Sequence, residues 1–572
     1  MGLVLCSAFA EVVSLGAVLP FIGILISPEK AFKVSIVARF ARSLGITSPH
    51  DLLLPLTVAF VAAALFAGAI RLLFLWASIR LAFATGADLG IDVYRRSLYQ
   101  PYRVHVALNS AEVISVITSK VGDTVTVLTQ MLLLISSLVM LTAITLALLA
   151  IDPVVALLAT AGFGASYGVI TWMSRRQLRN NSQRISSEQT RMIKAVQEGL
   201  GGIRDVLLDG TQPIYCDIYR RADYPLRRAQ GANMFIATSP RFAMETLGMV
   251  VIAALTYGLS RQPGGLAAAL PVLGVLALGA QRLLPGLQQA YNAWSSILSC
   301  ETSLAKTIEL LDQPLPTELL QPPPAPLHFQ QDIRFDRVRF RYASDGPWVL
   351  NDLNFTIRKG SRVGFVGTTG SGKSTTLDLL MGLLMPTEGE LLVDSEPVMG
   401  NRVRAWQRSI AHVPQSIYLA DTTLAENIAF GVPREAIDLE RVKQAARQAQ
   451  IAEFIESRAE GYDVSVGERG IRLSGGQRQR IGIARALYKQ ASVLVFDEAT
   501  SALDNATEQS VMDAIDGLDR DLTIVLIAHR LTTVRRCDTI VELQNGRLVA
   551  QGTYDQLIEL SPSFRSMVRA VA

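Results

Sequence analysis

Two short stretches of this sequence carry residues suited to holding phosphate. GTTGSGKST, Gly367 to Thr375, follows SRVGFVG and runs into TTLDLLMGLL. Strand, glycine loop and helix therefore come in the order that GxxxxGK[ST] needs before it has chemical meaning. Gly367, Gly370 and Gly372 allow backbone amides to approach phosphate oxygens, with Thr368, Thr369 and Ser371 between them. Lys373 would neutralise the β and γ phosphates, and Ser374, ahead of Thr375, would coordinate Mg²⁺. Further on, LSGGQRQR offers Ser474, Gly475 and Gly476 as another anion-binding helix start, with Gln477 beside it. In SVLVFDEATSALD four apolar residues bring Asp497 to a strand end, where its carboxylate can hold Mg²⁺ through water. The adjacent Glu498 can polarise an attacking water. His529, in LIAHR, ends another apolar strand on the same predicted sheet edge, within reach of a γ phosphate. Gln415 in HVPQS and Tyr342 in FRYASDG are ordinary residue types when taken alone, and only their positions relative to these motifs single them out.

The elements that must position these residues are short β-like runs alternating with helical stretches, the pattern of a parallel α/β sheet. No apolar run in that part is long enough to span a bilayer. It is preceded by DQPLPTELLQPPPAPLH, Asp312 to His328, whose prolines favour an extended connector. The expected domains are therefore 1–311, a linker over 312–329, and 330–572.

Residues before the linker are of another kind. Half of the chain's residues are hydrophobic, high for a wholly soluble protein, and six candidate crossings precede residue 300. They are Leu3–Ile26, Leu53–Phe83, Val125–Ile151, Pro153–Met173, Met244–Leu259 and Leu266–Leu287. The first lacks the basic region and cleavage site of a signal peptide, and Met1 lies almost inside it, which points to a short lead-in ahead of it. Sixteen Lys and Arg fall between the second and third or the fourth and fifth segments, against five in the other loops, so the two long loops should be cytoplasmic. Apolar spacing through Leu98–Val121 and Ile185–Leu208 predicts helices continuing out of the membrane, with one from Pro153 to about Gly210 roughly 85 Å long. Turn-rich or short amphipathic pieces, Gln100–Asn109 and Thr211–Asp223, should lie at the far ends, suited to touching another domain. The net charge of +4 gives no general attraction to nucleic acid, and Cys6, Cys216, Cys300 and Cys537 show neither zinc-site nor disulfide spacing.

GTTGSGKST, Gln415, LSGGQ, VFDEATSALD and His529 occur in the order and spacing of ABC transporter ATPase domains, and the chain resembles an ABC exporter half-transporter. The resemblance implies a six-helix, all-α membrane domain of the type IV exporter kind followed by an α/β P-loop NTPase domain. It implies ATP and Mg²⁺ as cofactors, with Tyr342 stacked on adenine, Gln415 touching Mg²⁺, Glu498 as general base, His529 on the γ phosphate and Asp504 in the D-loop. In the family the LSGGQ segment faces the nucleotide held by the opposite subunit. Two chains are then required, and the full motif set favours a homodimer in a bacterial inner membrane with its ATPase domains cytoplasmic. SVGERG, Ser465 to Gly470, matches the segment that touches the intracellular loops of exporters.

FAEVVSLGAVLPFIGILISPE, the stretch around GLGGIRDVLLDG, PRFAMETLG and AQRLLPGLQQAY resemble bacterial flippases of lipid-linked oligosaccharides. Between the first two crossings Phe32, Ile36 and Phe40 share one face of an amphipathic stretch, and the resemblance implies an external helix that engages a polyisoprenoid tail. Arg71 and Arg282 are expensive in hydrocarbon and should face a cavity or a counter-ion, and Arg241 lies near a helix end. An anionic diphosphate headgroup and pairing with Glu11 or Glu245 account for them equally well. The expected cargo is a lipid-linked glycan; the alternatives are a general exporter of drugs, peptides or simple lipids and, further off, an ATP-gated channel.

Overall fold

The apolar run that begins at Leu53 does not stop at a bilayer's thickness. In the computed structural model it forms helix α1, Leu53–Leu98, whose 46 residues extend about 70 Å where hydrocarbon needs about 30 Å. The structure describes residues 2, 6, 53–151, 153–260, 283–315, 321–497, 509, 517, 521–527 and 534–571. One unit holds the chain up to Tyr99 together with Leu108–Pro314; the other holds Gln100–Ala107 and the chain from Leu315 onward.

The first unit is helical. After α1, and after α2 (Tyr102–Ala107), which belongs to the second unit, come α3 (Ser110–Ser115) and a π-helical turn, Val116–Lys120. Then follow α4 (Val121–Ile151), α5 (Pro153–Gly201), α6 (Ile203–Leu208) and α7 (Gln212–Ser260). Residues 283–299 are helical and precede α8 (Glu301–Leu311). Thr57–Leu98 and Ser110–Leu146 are long and apolar enough to cross a bilayer, yet only 11% and 17% of their apolar windows are buried inside the protein. Leu65, Phe66, Leu72 and Trp76 lie exposed on α1, as suits a helix solvated by lipid and not a soluble core helix. The crossing expected at Leu3–Ile26 and most of that at Leu266–Leu287 lie outside the described residues.

Two expectations about the long loops need correction. The helix from Pro153 stops at Gly201, because Gly202 leaves helical geometry (φ −97°, ψ 24°) and two adjacent glycines give the turn little to hold it. Thr211–Asp223 is not a separate piece: all but its first residue form the opening turns of α7, a single helix of 49 residues with Pro213 in the first turn, where proline is tolerated. Side-chain bonds tie these long helices together. Asn181 donates to Asn233 at 2.7 Å, the Thr302 amide donates to Ser182 at 3.1 Å, and Arg179 grips Glu301 through two bonds of 2.9 and 3.0 Å.

In the second unit β1 (Asp332–Phe340), β2 (Leu350–Arg358), β4 (Glu388–Val393) and β5 (Glu396–Pro397) form an antiparallel sheet in the order β2-β1-β4-β5. The other sheet runs β10-β9-β3-β8-β7-β6. Its strands are β3 (Arg362–Val366), β6 (Ile410–Val413), β7 (Val493–Asp497), β8 (Thr523–Ile527), β9 (Thr539–Gln544) and β10 (Arg547–Gly552). All its pairings are parallel except β9 with β10. Val493, Val495, Val363, Phe365, Val525 and Ile527 are buried on one side of it, together with Phe335 and Phe355 of the antiparallel sheet.

One buried carboxyl group pins the chain's last helix. Glu542 of β9 is 2% exposed and accepts hydroxyl hydrogens from Ser561 (2.6 Å) and Ser563 (2.5 Å). Ser561 also accepts from the Phe564 amide at 3.2 Å, and Phe564 is fully buried. Glu542→Ala removes the acceptor that both hydroxyls share and leaves them each other at 2.9 Å, and the expected loss is about 2 kcal/mol. By differential scanning fluorimetry the melting midpoint of the ATPase domain should fall about 4–8 °C, and Glu542→Ala should add little to a chain already carrying Ser561→Ala and Ser563→Ala.

Candidate functional site

The glycine loop leaves the C-terminal end of β3, a strand whose Val363 to Val366 are all buried, and enters helix α9, Lys373–Leu380. Leu377, Leu379 and Leu380 pack into the core and hold the helix with its N-terminus at the loop. The loop's glycines are needed for two separate reasons. A Cβ on Gly367 (φ 148°) would stand 2.1 Å from the Leu543 carbonyl oxygen of β9, and one on Gly372 (φ 101°) would stand 2.5 Å from the Leu350 side chain. The loop is thus pressed between β9 and β2; the Ser371 amide donates to the Thr368 carbonyl within it at 3.1 Å, and the Gly546 amide donates to the Ser371 carbonyl at 3.1 Å.

Lys373 is 7% exposed, and its Nζ donates to the carbonyl oxygens of Gly367 (2.8 Å) and Thr368 (3.1 Å). The cation therefore sits over the loop. Ser371 Oγ is buried without a hydrogen-bond partner, an orphan that a phosphate oxygen would satisfy. Ser374 is exposed at the helix start, as are Thr368, Thr369 and Gly370 in the loop. Thr375 lies 3.3 Å through its Oγ1 from the Tyr342 hydroxyl, so Tyr342 stands beside the helix start. Its ring leans edge-on against Phe340 with 40% of the residue exposed, leaving a face for a flat ligand.

The register of the parallel sheet brings the remaining groups to the same edge. Ile527, the last residue of β8, pairs on one side with Phe365 of β3 and on the other with Asp497 of β7. Asp497 therefore ends its strand level with the start of the glycine loop. Gln415, exposed, lies two residues beyond β6, the neighbour of β7. Asp378 of α9, which the motifs did not suggest, belongs here too: burial, then the charge of Asp497, raise its carboxyl to about 6. Among the described residues no three His, Cys, Asp or Glu side chains form a metal-binding group. A cation here would rest on the oxygen donors of Ser374, Gln415 and Asp497, the donor type that Mg²⁺ takes. Glu498, Asp504 and His529 lie outside the described residues.

LSGGQ is built differently. Ser474 is the N-cap of helix α10, Gly475–Tyr488; its hydroxyl accepts from the Gln477 amide (3.2 Å) while Gln477 Oε1 accepts from the Ser474 amide (2.8 Å). This reciprocal capping box is legible in the S-x-x-Q spacing. Among the described residues no hydrogen bond joins Ser474–Gln477 to the glycine loop of the same chain.

Helix α2 carries Tyr102, whose phenol is raised by burial and then by the nearby Asp378 and Tyr342. The sequence marks this stretch as one suited to touching another domain, without naming Asp378 or Tyr342 as its neighbours. In the first unit Arg241 is paired with Glu245 at 2.9 Å, and Arg71 Nη2 points to the Met140 sulfur at 4.0 Å. Arg282, Phe32, Ile36 and Phe40 lie outside the described residues.

Known proteins agree with this geometry. Residues 350–501 match the ABC transporter family model. The ATP-dependent lipid A-core flippase of Alkalilimnicola ehrlichii is 33% identical over 423 residues, 71% of this chain and 69% of that protein. That of Chromohalobacter salexigens is 33% identical over 402 residues, 70% and 68% of the two chains. A leukotoxin translocation ATP-binding protein of Mannheimia glucosida is 39% identical over 284 residues, 50% and 39% of the two chains. A bacterial Atm1-family ABC exporter with ATP bound superposes with a TM-score of 0.77 at 27% identity, over 98% of both chains. With its transmembrane helices, its glycine loop and likeness over more than two thirds of full-length relatives, the chain belongs to the ABC exporters, as a half-transporter whose fused ATPase domain couples ATP hydrolysis to transport.

Proposed function

We propose that two copies of this chain form a homodimer in the bacterial inner membrane, with their ATPase domains in the cytoplasm, and move a lipid-linked oligosaccharide or related glycolipid across the bilayer by alternating access. The domain limits on this reading are 1–311, 312–329 and 330–572. The observation that carries it is the reach of the likeness to two of these relatives: alignment with the lipid A-core flippases of Alkalilimnicola ehrlichii and Chromohalobacter salexigens covers 71% and 70% of the chain, well beyond the ATPase domain, whereas that with the leukotoxin translocator covers half. The toxin exporter supports a peptide-exporting alternative over half of the chain.

Each ATP is clamped between Gly367–Thr375 of one chain and Ser474–Gln477 of its partner. Tyr342 stacks on the adenine, Lys373 and the loop amides hold the β and γ phosphates, and Ser371 Oγ gains an acceptor. Ser374, Gln415 and Asp497 would hold Mg²⁺, which would supply positive charge at the phosphates. Glu498 takes a proton from the attacking water, while His529 contacts the γ phosphate and Asp504 lies at the interface between chains. Closure over nucleotide passes through the cytoplasmic helices and turns the membrane cavity outward. Such a machine is needed because each unpartnered hydroxyl costs about 2–7 kcal/mol to transfer from water, so a sugar headgroup does not cross unaided. Phe32, Ile36 and Phe40 engage the lipid tail from outside.

In proteoliposomes containing the purified chain, a fluorescent lipid-linked oligosaccharide should become inaccessible to an external quencher or enzyme only with hydrolysable ATP. Robust peptide or drug transport without glycolipid movement would reverse the reading. Ion current under ATP without vectorial transport would mark a channel.

A further inference from the structure

Four helices of the membrane domain line an open-sided cavity of about 480 Å³, within the usual range for small-molecule sites. Its polar groups have an ordered arrangement. Gln288, from the 283–299 helix, is fully committed: its Oε1 accepts from the Tyr167 hydroxyl of α5 (2.8 Å), and its Nε2 donates to the Ala237 carbonyl (3.1 Å) and to Asn292 Oδ1 (2.7 Å). Gln288 thereby fixes Tyr167 and Asn292, leaving the amide hydrogens of Asn292 and a lone pair of the Tyr167 oxygen toward other partners. Gln130 of α4 and Gln289 also line the cavity, and neither side chain makes a hydrogen bond to another described residue.

The only charges lining it among the described residues cancel. Arg241 Nε donates to Glu245 Oε1 at 2.9 Å one helical turn away on α7. That pair uses one N–H of the guanidinium, so a diphosphate entering here could reach the others only while lying against the Glu245 carboxylate, which repels it. A sugar ring meets no such obstacle. Each hydroxyl both donates and accepts, as an amide does, and Leu133, Leu284 and Pro285 give the C–H faces of the ring an apolar floor.

We propose that this cavity is a carbohydrate site, in which Gln130, Gln289, Asn292 and Tyr167 hold uncharged sugar rings of the cargo's headgroup while its phosphate remains outside. The inference rests on the glycolipid reading and narrows it to the part of the cargo that is recognised. The test uses the full-length chain in proteoliposomes and three unlabelled lipids competing with a labelled polyisoprenyl-diphosphate disaccharide. These are the same lipid, the sugar-free polyisoprenyl diphosphate, and diacylglycerol bearing the disaccharide. The disaccharide-bearing diacylglycerol should compete at least tenfold better than the sugar-free diphosphate. In the Gln130→Leu, Gln289→Leu double variant that preference should shrink to within about twofold, since two amides that pair with hydroxyls are gone. Equal or better competition by the sugar-free lipid in the unaltered protein would overturn the carbohydrate site, as would an unchanged preference in the double variant. The ranking in the unaltered protein decides the matter if the double variant does not fold. Movement of none of the labelled lipid would instead remove the glycolipid reading itself.

Discussion

Glu498→Gln should bind ATP with near-normal affinity and lose steady-state hydrolysis by about 10³-fold, within the range that general-base removal produces. Glutamine keeps the length and planar shape of glutamate and can still hydrogen bond to a water, but it cannot take the proton. The preceding residue, Asp497, ends β7 level with the glycine loop through its pairing to Ile527, and that bond ladder does not depend on the neighbouring side chain. Nucleotide affinity should accordingly survive. Equilibrium binding of a fluorescent ATP analogue alongside phosphate release separates the two quantities. Turnover within a fewfold of the unaltered protein would remove Glu498 from the role of base and leave His529 as the next residue to test.

Lys373→Ala should have the opposite signature, losing binding and hydrolysis together. The ammonium is nearly buried and donates to two loop carbonyls, so the side chain both shapes the loop and supplies its charge. Removing a charge-assisted contact costs about 1.5–3 kcal/mol, so affinity for ATP should fall about 10–100-fold, with hydrolysis falling further. The same substitution tests the partnership between chains. In a mixed dimer with Lys373→Ala in one chain and Ser474→Arg in the other, both lesions fall in one shared site, and the second site should keep turning over. With both substitutions in one chain and the partner unaltered, each site carries a lesion, and hydrolysis should vanish. The reverse pattern would show that each chain's LSGGQ serves its own ATP, and the homodimeric clamp would be wrong.

Much of the site was readable locally because its parts are short-range structures. A strand, three glycines and a lysine at the head of a helix need only a few consecutive residues to make a phosphate cradle, and β3, the loop and α9 follow that order. The same is true of the LSGGQ helix start, where Ser474 and Gln477 cap one another over a single turn. The Arg241–Glu245 pair, four residues apart on one helix, was open to the same reading. So was the break at Gly201–Gly202, which overall helical periodicity had hidden.

What residue order alone could not decide was which distant segments meet. Strand order β10-β9-β3-β8-β7-β6 sets Asp497 level with the loop after β3, although more than a hundred residues separate them. That same packing makes Asp378 an unusually weak acid and places Tyr102, at the start of α2, near it in the second unit. In the membrane domain, Gln130, Tyr167 and Gln289 share one cavity only because helices far apart in sequence converge. Periodicity says which face of a helix is apolar, since that depends on neighbours within a turn or two. Which polar faces come together depends on burial and hydrogen bonding summed over the whole fold, and that was settled only in three dimensions.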